Sequence, residues 1–247
     1  METIYLGIIQ GLTEFLPISS SGHLYIFKKY LNLSGEVLPF FVFLHLGTLL
    51  SILIFLRKEI TGVLFKTKIL FQLCVITLIT GAFGLLIDHF FTKFFENQSW
   101  IAFLLFLNGG MLLSVRKTSG CRNSESINLR DSILLGIMQG VSVFPGISRS
   151  GITIVTLLKR GFSPKDAFSL SFFMAIPAVL GAFLLKAKEL FHSHLAISDA
   201  IGGFVAAMLV GLLALGVVKK TLLAKKFTFF GYYCIIISVL SLVLSRY

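Results

Sequence analysis

Six stretches of the chain run with little polar interruption: Pro39–Leu56, Ile69–Ile87, Trp100–Val115, Ala167–Leu185, Ile197–Val218 and Phe229–Leu244. Each approaches the ~20 residues that a helix needs to cross the hydrocarbon core of a bilayer. They are rich in Leu, Ile and Phe and lack the period-two alternation of a barrel strand, so the pattern predicts transmembrane helices. Two further stretches differ. "LGIIQGLTEFLPISSSGHL", Leu6–Leu24, returns as "LGIMQGVSVFPGISRSGIT", Leu135–Thr153, with more than half of its positions unchanged and an offset of 129 residues. Each copy is an apolar helical piece too short to span, then a break holding Pro, Gly and Ser, then a second short piece. Pro and Gly interrupt a helix, and Ser hydroxyls can satisfy the freed backbone groups.

Such a pattern predicts two re-entrant helical hairpins. Three apolar runs separate the copies, so the second hairpin enters from the opposite face, and three more runs follow it. The chain therefore reads as an all-α membrane protein of about six transmembrane helices plus two re-entrant hairpins in an inverted-topology repeat. It forms one integral domain, 1–247, with halves 1–115 and 131–247 joined by a basic loop, 116–130. Two functionless kinked helices are the bland alternative, against which the shared polar content of the breaks argues.

Composition agrees. Hydrophobic residues make up 56% of the chain and charged residues 13%, against about 25% charged in soluble domains. Mean hydropathy is +0.92. The net charge of +11 does not point to nucleic acid, because Lys and Arg sit in the connections between runs. With the repeats re-entrant, about fifteen basic residues collect on one side, in the groups around Arg57, Arg116, Arg130, Lys159 and Lys219, and about six on the other: Lys28, Lys29, Lys93, Lys186, Lys188 and Arg246. That bias assigns the first side to the cytoplasm. Cys74, Cys121 and Cys234 form no zinc-type pair and are not expected to form a disulfide. Glu2 ahead of the first apolar run, with no basic segment, gives no sign of a cleavable signal peptide.

Ionisable groups within a membrane are costly and mark function by default. Glu14 stands just before one break and Arg149 within the other. A clamping salt bridge between the halves is one reading. An anion site is the other: Arg presents a planar fork for phosphate oxygens, the half-helix N-termini offer free N–H groups, and Ser19, Ser20, Ser21, Ser148, Ser150 and Thr153 add hydroxyls. His23 lies three residues after Ser20, a helical spacing that makes the pair a candidate nucleophile and base. Glu14 has three open roles: orienting His23, holding a divalent cation, or activating water. Gln10 and Gln139, equivalent in the two copies, are candidates to bond the broken backbone or the ligand, and His45 to line the pocket. Pro177 is expected to shape the site. Phosphate-loop, zinc-helix and nucleophile-elbow motifs are absent from the sequence.

On these residues the sequence resembles the undecaprenyl-diphosphate phosphatases of bacteria, the bacitracin-resistance proteins. The matching segments are "QGLTE", with Gln10 and Glu14, then "PISSSGH", "PGISRSGIT" from Pro145 to Thr153, and "AIPAVLGA"; the likeness covers essentially the whole chain. Gln10 stands where that family also carries Glu, which puts more weight on Glu14. The resemblance implies hydrolysis of undecaprenyl diphosphate to the monophosphate and phosphate, recycling the lipid carrier of peptidoglycan synthesis and conferring bacitracin resistance. It also implies a multi-pass protein of the bacterial inner membrane, a site facing the periplasm, a Mg²⁺ or Ca²⁺ requirement, and a polyprenyl diphosphate as partner, its tail in lipid against the Phe-rich surface; a homodimer is left open. Ser20 is the expected nucleophile with His23 managing its proton, and attack by water is the other version. A polyprenyl-phosphate transporter using the same inverted-repeat site is the rival function. The unrelated acid-phosphatase-like lipid phosphatases rank low, because "SRSGITIVTLLKR" lacks the His and Asp they need.

Overall fold

A computed structural model describes residues 2–30, 37–95, 97–115, 120–191 and 197–244. Arg116, Lys117 and Arg246, counted in the charge bias, lie outside the described residues, as do the side chains of Lys28, Lys29, Lys93, Lys186 and Lys188. The first repeat forms α1 (Glu2–Phe15) and α2 (Ser20–Tyr30), and the second forms α7 (Leu129–Val141) and α8 (Arg149–Lys159). Every predicted apolar run is a helix: α3 (Val37–Phe55), α5 (Thr67–Phe95), α6 (Gln98–Leu113), α9 (Pro164–Phe191), α10 (Ile197–Leu223) and α11 (Phe229–Leu244). Within them, Thr67–Phe91, Pro164–Leu185 and Ala200–Leu223 are long and apolar enough to cross a membrane, while Phe43–Phe55, Gln98–Leu113 and Phe229–Val243 are shorter apolar helices. The sequence reading missed α4 (Arg57–Leu64), a short amphipathic helix whose Ile60 and Val63 pack under a charged start, "RKE". No strand occurs among the described residues.

Local chemistry sets the helix starts. Asn128 and Asp131 form a reciprocal capping box on α7. Ser163 caps α9 by accepting from the Asp166 N–H at 3.1 Å, with Pro164 at the first helical position. Asp131 is fully buried and clasps Arg122 and Arg160, each at 2.7 Å. Burial alone would raise its carboxyl pKa, but the two guanidiniums outweigh that and hold it below the usual range.

Several helix pairings are exchanged by the repeat. α1 seats on α10, and its repeat counterpart α7 seats on α5; α3 pairs with α9 and α6 with α11. Each of the first two seats is a G-x-x-x-G face, which lets helix backbones approach closely where lipid removes the hydrophobic drive for association. A Cβ on Gly11 would stand 2.7 Å from the Ala207 carbonyl oxygen, and one on Gly136 would stand 2.7 Å from the Ile79 Cβ. Phe15, Phe168 and Phe172 pack edge-to-face at the centre, and Ser150–Leu158 of α8 is buried throughout. Outward, Phe65, Leu78, Leu184, Leu213 and Phe229 are exposed, a surface that suits lipid rather than water.

The breaks are sutured to each other. Ser19 and Ser148 occupy equivalent positions and both act as N-caps, their hydroxyls accepting from Gly22 N–H at 3.3 Å and Gly151 N–H at 3.1 Å. Each break needs one left-handed residue, supplied by Ser19 (φ 69°) in the first and Gly146 (φ 109°) in the second. Gly146 N–H donates to Ser19 Oγ at 3.0 Å. Asn108 of α6 is fully buried between them; its amide donates to Pro17 O at 2.9 Å and accepts from Ser148 N–H at 3.0 Å.

Two stability changes follow. Gly11→Leu forces α1 off α10 and is expected to lower the thermal midpoint in detergent, a cost of about 1–3 kcal/mol or more, whereas Gly110→Leu, beside open space, leaves it near wild type. Asn108→Leu orphans the Ser148 N–H in one break and leaves the Pro17 carbonyl in the other with only the weak Cys234 thiol contact at 3.7 Å, a cost of about 1–3 kcal/mol, and its melting curve is expected to shift correspondingly.

Candidate active site

Between the breaks lies a pocket of about 310 Å³ whose lining includes Glu14, Ser20, His45, Ser148 and Arg149. Glu14 is its electrostatic centre. Its Oε1 accepts from Arg149 Nη2 at 2.6 Å. Its Oε2 accepts from Ser20 Oγ at 2.7 Å and Gln10 Nε2 at 3.0 Å, with His45 Nε2 at 3.4 Å. Ser20 and Arg149 are equivalent positions of the repeat, the first residues of α2 and α8. The carboxylate thus joins the N-termini of both second half-helices, where anions are favoured.

The ion pair is nearly dry: Glu14 is 8% exposed and the Arg149 side chain 15%. Coulomb attraction is strong there, but removing either partner strands a charge in a place that does not solvate it. Arg149 keeps spare capacity. Its Nη1 is buried without a hydrogen-bond partner among the described residues, so one donor edge of the fork remains for an incoming anion.

The structure gathers part of the predicted set. Glu14, Ser20, Ser21, His45, Ser148 and Arg149 line the pocket, and Gln10 reaches it through Glu14. Gln139 also lines it, bonding Thr80 at 3.2 Å and the Met174 carbonyl at 3.5 Å. Besides Gln10, four predicted residues do not line the pocket. Ser19 is consumed by the suture to Gly146. Ser150 is fully buried against Ser148 and the Leu16 carbonyl. Thr153 back-bonds the Arg149 carbonyl at 2.8 Å and meets Ser171 of α9 at 2.7 Å.

His23 is the fourth, and the expected Ser20–His23 pair is not formed. Helical side chains lean toward the preceding turn, and the His23 ring folds back to the Ser19 carbonyl at 2.8 Å rather than to Ser20. Its other nitrogen bonds Tyr233 Oη at 2.9 Å, with the two rings stacked. Ser20 turns the other way, to Glu14. Asn108, Tyr233, Thr80 and Ser142 were missed by the sequence reading. Asn108 had a signal, a lone amide in the apolar run "FLLFLNGG"; Tyr233 had none.

A divalent cation at phosphate is held by oxygen ligands, commonly one or two carboxylates plus the substrate's own oxygens. Among the described residues no group of three His, Cys, Asp or Glu gathers into an all-protein cage. Glu14 is the one carboxylate lining the pocket, and the Gln10 Oε1 beside it is buried without a partner among the described residues. That donor set fits a cation shared with a phosphate ligand.

Comparison with known proteins bears on the family. The model of the bacitracin resistance protein BacA family matches residues 3–240. The undecaprenyl-diphosphatase of Thermosipho melanesiensis is 39% identical, over 98% of each chain. That of Methanococcus vannielii is 39% identical over 97% of this chain and 98% of the relative, and that of Carboxydothermus hydrogenoformans is 39% identical over 99% and 97%. With both repeated hairpins and all the intervening helices inside a match of this length, the chain belongs to the bacitracin resistance protein BacA family.

Proposed function

We propose that this protein is an undecaprenyl-diphosphate phosphatase, hydrolysing the lipid diphosphate to undecaprenyl phosphate and inorganic phosphate. The observation that carries the reading is the pairing of a hydroxyl and a guanidinium on the two oxygens of one buried carboxylate, at two helix N-termini, with a guanidinium nitrogen left unpartnered. The names of its relatives point to the same reaction.

In this mechanism Arg149 and the two half-helix N-termini take up the diphosphate charge. Ser20 Oγ attacks the terminal phosphorus and its proton passes to Glu14 Oε2, already at hydrogen-bond distance. The Oγ–P bond forms as the bond from that phosphorus to the bridging oxygen breaks, and polyprenyl monophosphate leaves. Water then attacks the phosphoserine, the Ser20 oxygen leaves, and the proton held by Glu14 returns to it. His45, at 3.4 Å, stabilises the carboxylate. His23 acts by fixing the Ser19 carbonyl and hence the break, not by touching Ser20. Glu14, with Gln10 Oε1, would hold a Mg²⁺ or Ca²⁺ ion; when bound, such an ion neutralises diphosphate charge.

The setting we propose is the bacterial inner membrane, with α3, α5, α6, α9, α10 and α11 spanning and the hairpins α1–α2 and α7–α8 re-entrant from opposite faces, the site opening to the periplasm and the loop 116–130 in the cytoplasm. The sequence repeat, the exchanged helix pairings and the basic bias support this topology.

Arg149→Lys keeps the charge and loses the fork. Its phosphate release from undecaprenyl diphosphate in detergent is expected to fall about a hundredfold or more with an unchanged melting curve, and near-normal turnover contradicts the role given to Arg149. Ser20→Ala is expected to abolish a trappable phosphoserine together with turnover; turnover surviving that change means attack by water. Chelation is expected to suppress release, with Mg²⁺ or Ca²⁺ restoring it. For topology, Cys121 is exposed. In a Cys74→Ser background a membrane-impermeant maleimide is expected to modify Cys121 in inside-out vesicles and not in intact cells, and labelling from outside reverses the assignment.

A further inference from the structure

The polar pocket has an apolar neighbour. Beside it opens a larger cleft of about 770 Å³, lined by Leu53 of α3, Leu64 of α4, Leu70 and Leu78 of α5, and Phe173 and Pro177 of α9, among others. Cys74 and Thr77 are the lining residues whose side chains carry a heteroatom, and Thr77 hides its hydroxyl by donating to the Leu73 carbonyl at 2.8 Å. The cleft is otherwise lined by hydrocarbon.

Polar pocket and apolar cleft share no lining residue, but they are neighbours along one seam, on α5 and α9. On α5, Thr77 lines the cleft and Thr80, one turn on, lines the pocket. On α9, Pro177 lines the cleft and its neighbour Ala178 the pocket. Gln139 marks the junction, tying Thr80 of α5 to the Met174 carbonyl of α9. Small residues one turn apart, Ala178 and Ala182, form the pocket wall leading to it. From Phe183 to Phe173 the seam runs about 15 Å along α9 at 1.5 Å per residue, and the cleft continues to α4. A ligand anchored by phosphate at Glu14 and Arg149 meets hydrocarbon walls in this direction.

Resting on the phosphatase reading above, we propose that the α4–α5–α9 cleft is the seat of the substrate's own prenyl tail and the device that selects long tails over short ones. The tail leaves the headgroup past Ala182 and Ala178, crosses the Gln139 junction and lies between α5 and α9 toward Leu64, instead of resting on the open Phe-rich surface. A farnesyl tail fills only the upper part of this path. An undecaprenyl tail fills all of it. Hydrocarbon gains little on leaving lipid for protein, so the selectivity arises from packing in a shaped slot.

The test narrows the cleft and varies the tail. In Cys121→Ser protein, Cys74 is modified with pyrenyl maleimide, and in a separate variant Ile176→Trp is introduced; phosphate release is measured with undecaprenyl and farnesyl diphosphate. Both blocks are expected to raise KM for the undecaprenyl substrate about tenfold, a change of 1.4 kcal/mol, while kcat and the farnesyl kcat/KM stay within twofold. Equal loss on both substrates, or no change on the long one, overturns the proposal. A second readout does not depend on turnover: undecaprenyl phosphate carrying a photoreactive group at the far end of its tail. Crosslinks to α4 or to the first half of α5, competed by undecaprenyl phosphate and not by phospholipid, are the expected result. Crosslinks elsewhere, or equal competition by phospholipid, assign the cleft to bulk lipid and overturn it. Absence of phosphate release from either substrate by unmodified protein would count against the phosphatase reading alone, and the crosslink would still decide the seat of the tail.

Discussion

A carboxylate and a guanidinium, both nearly out of water, hold each other across two broken helices, and everything else at the site follows from keeping that pair in place. Glu14 is only 8% exposed where it stands and is poorly solvated. It is stable as an anion because Arg149, Ser20, Gln10 and His45 all converge on its two oxygens. The contacts that neutralise the carboxylate also hold it against the Ser20 hydroxyl, and they leave Arg149 Nη1 without a partner among the described residues, which is the basis of the mechanism proposed for it.

The second constraint is the backbone. Interrupting a helix exposes N–H and C=O groups that an apolar interior cannot satisfy. Each break solves this with a Ser cap, and the two breaks share the rest: Ser19 accepts from Gly146, and Asn108 serves Pro17 and Ser148 together. The breaks are therefore one structure, and the pocket between them has rigid walls. The breaks approach each other at glycines: a Cβ on Gly22 would stand 3.3 Å from the Gly146 nitrogen, and one on Gly151 would stand 3.2 Å from the Pro17 Cβ. The two similar segments each supply a helix N-terminus, and the different residues at one equivalent position, Ser20 and Arg149, give those termini different chemistry.

Much of this was legible in the residues. The apolar runs became α3, α5, α6, α9, α10 and α11 because a run of that length and composition has few other stable forms. Glu14 and Arg149 were legible because a charge in an apolar context must find a partner. What could not be read is direction. Ser20 and His23 sit at helical spacing, yet the left-handed turn at Ser19 and the backward lean of the His23 ring send them to opposite sides, one to Glu14 and the other to Tyr233. Ser150 and Thr153 belong to a motif rich in hydroxyls, but only tertiary packing decides that they face α9 and the first break, not the ligand. α4 escaped notice because its amphipathic turn is short and begins with a charge cluster that looks like a simple connection.

A double-mutant cycle on phosphate release, with Glu14→Gln, Arg149→Gln and the pair combined, tests most directly whether the two groups act as one unit. The account predicts strong non-additivity, with the double variant about as impaired as the worse single variant. Losses that multiply across the two sites would contradict it, because they would mean that the carboxylate and the guanidinium act independently.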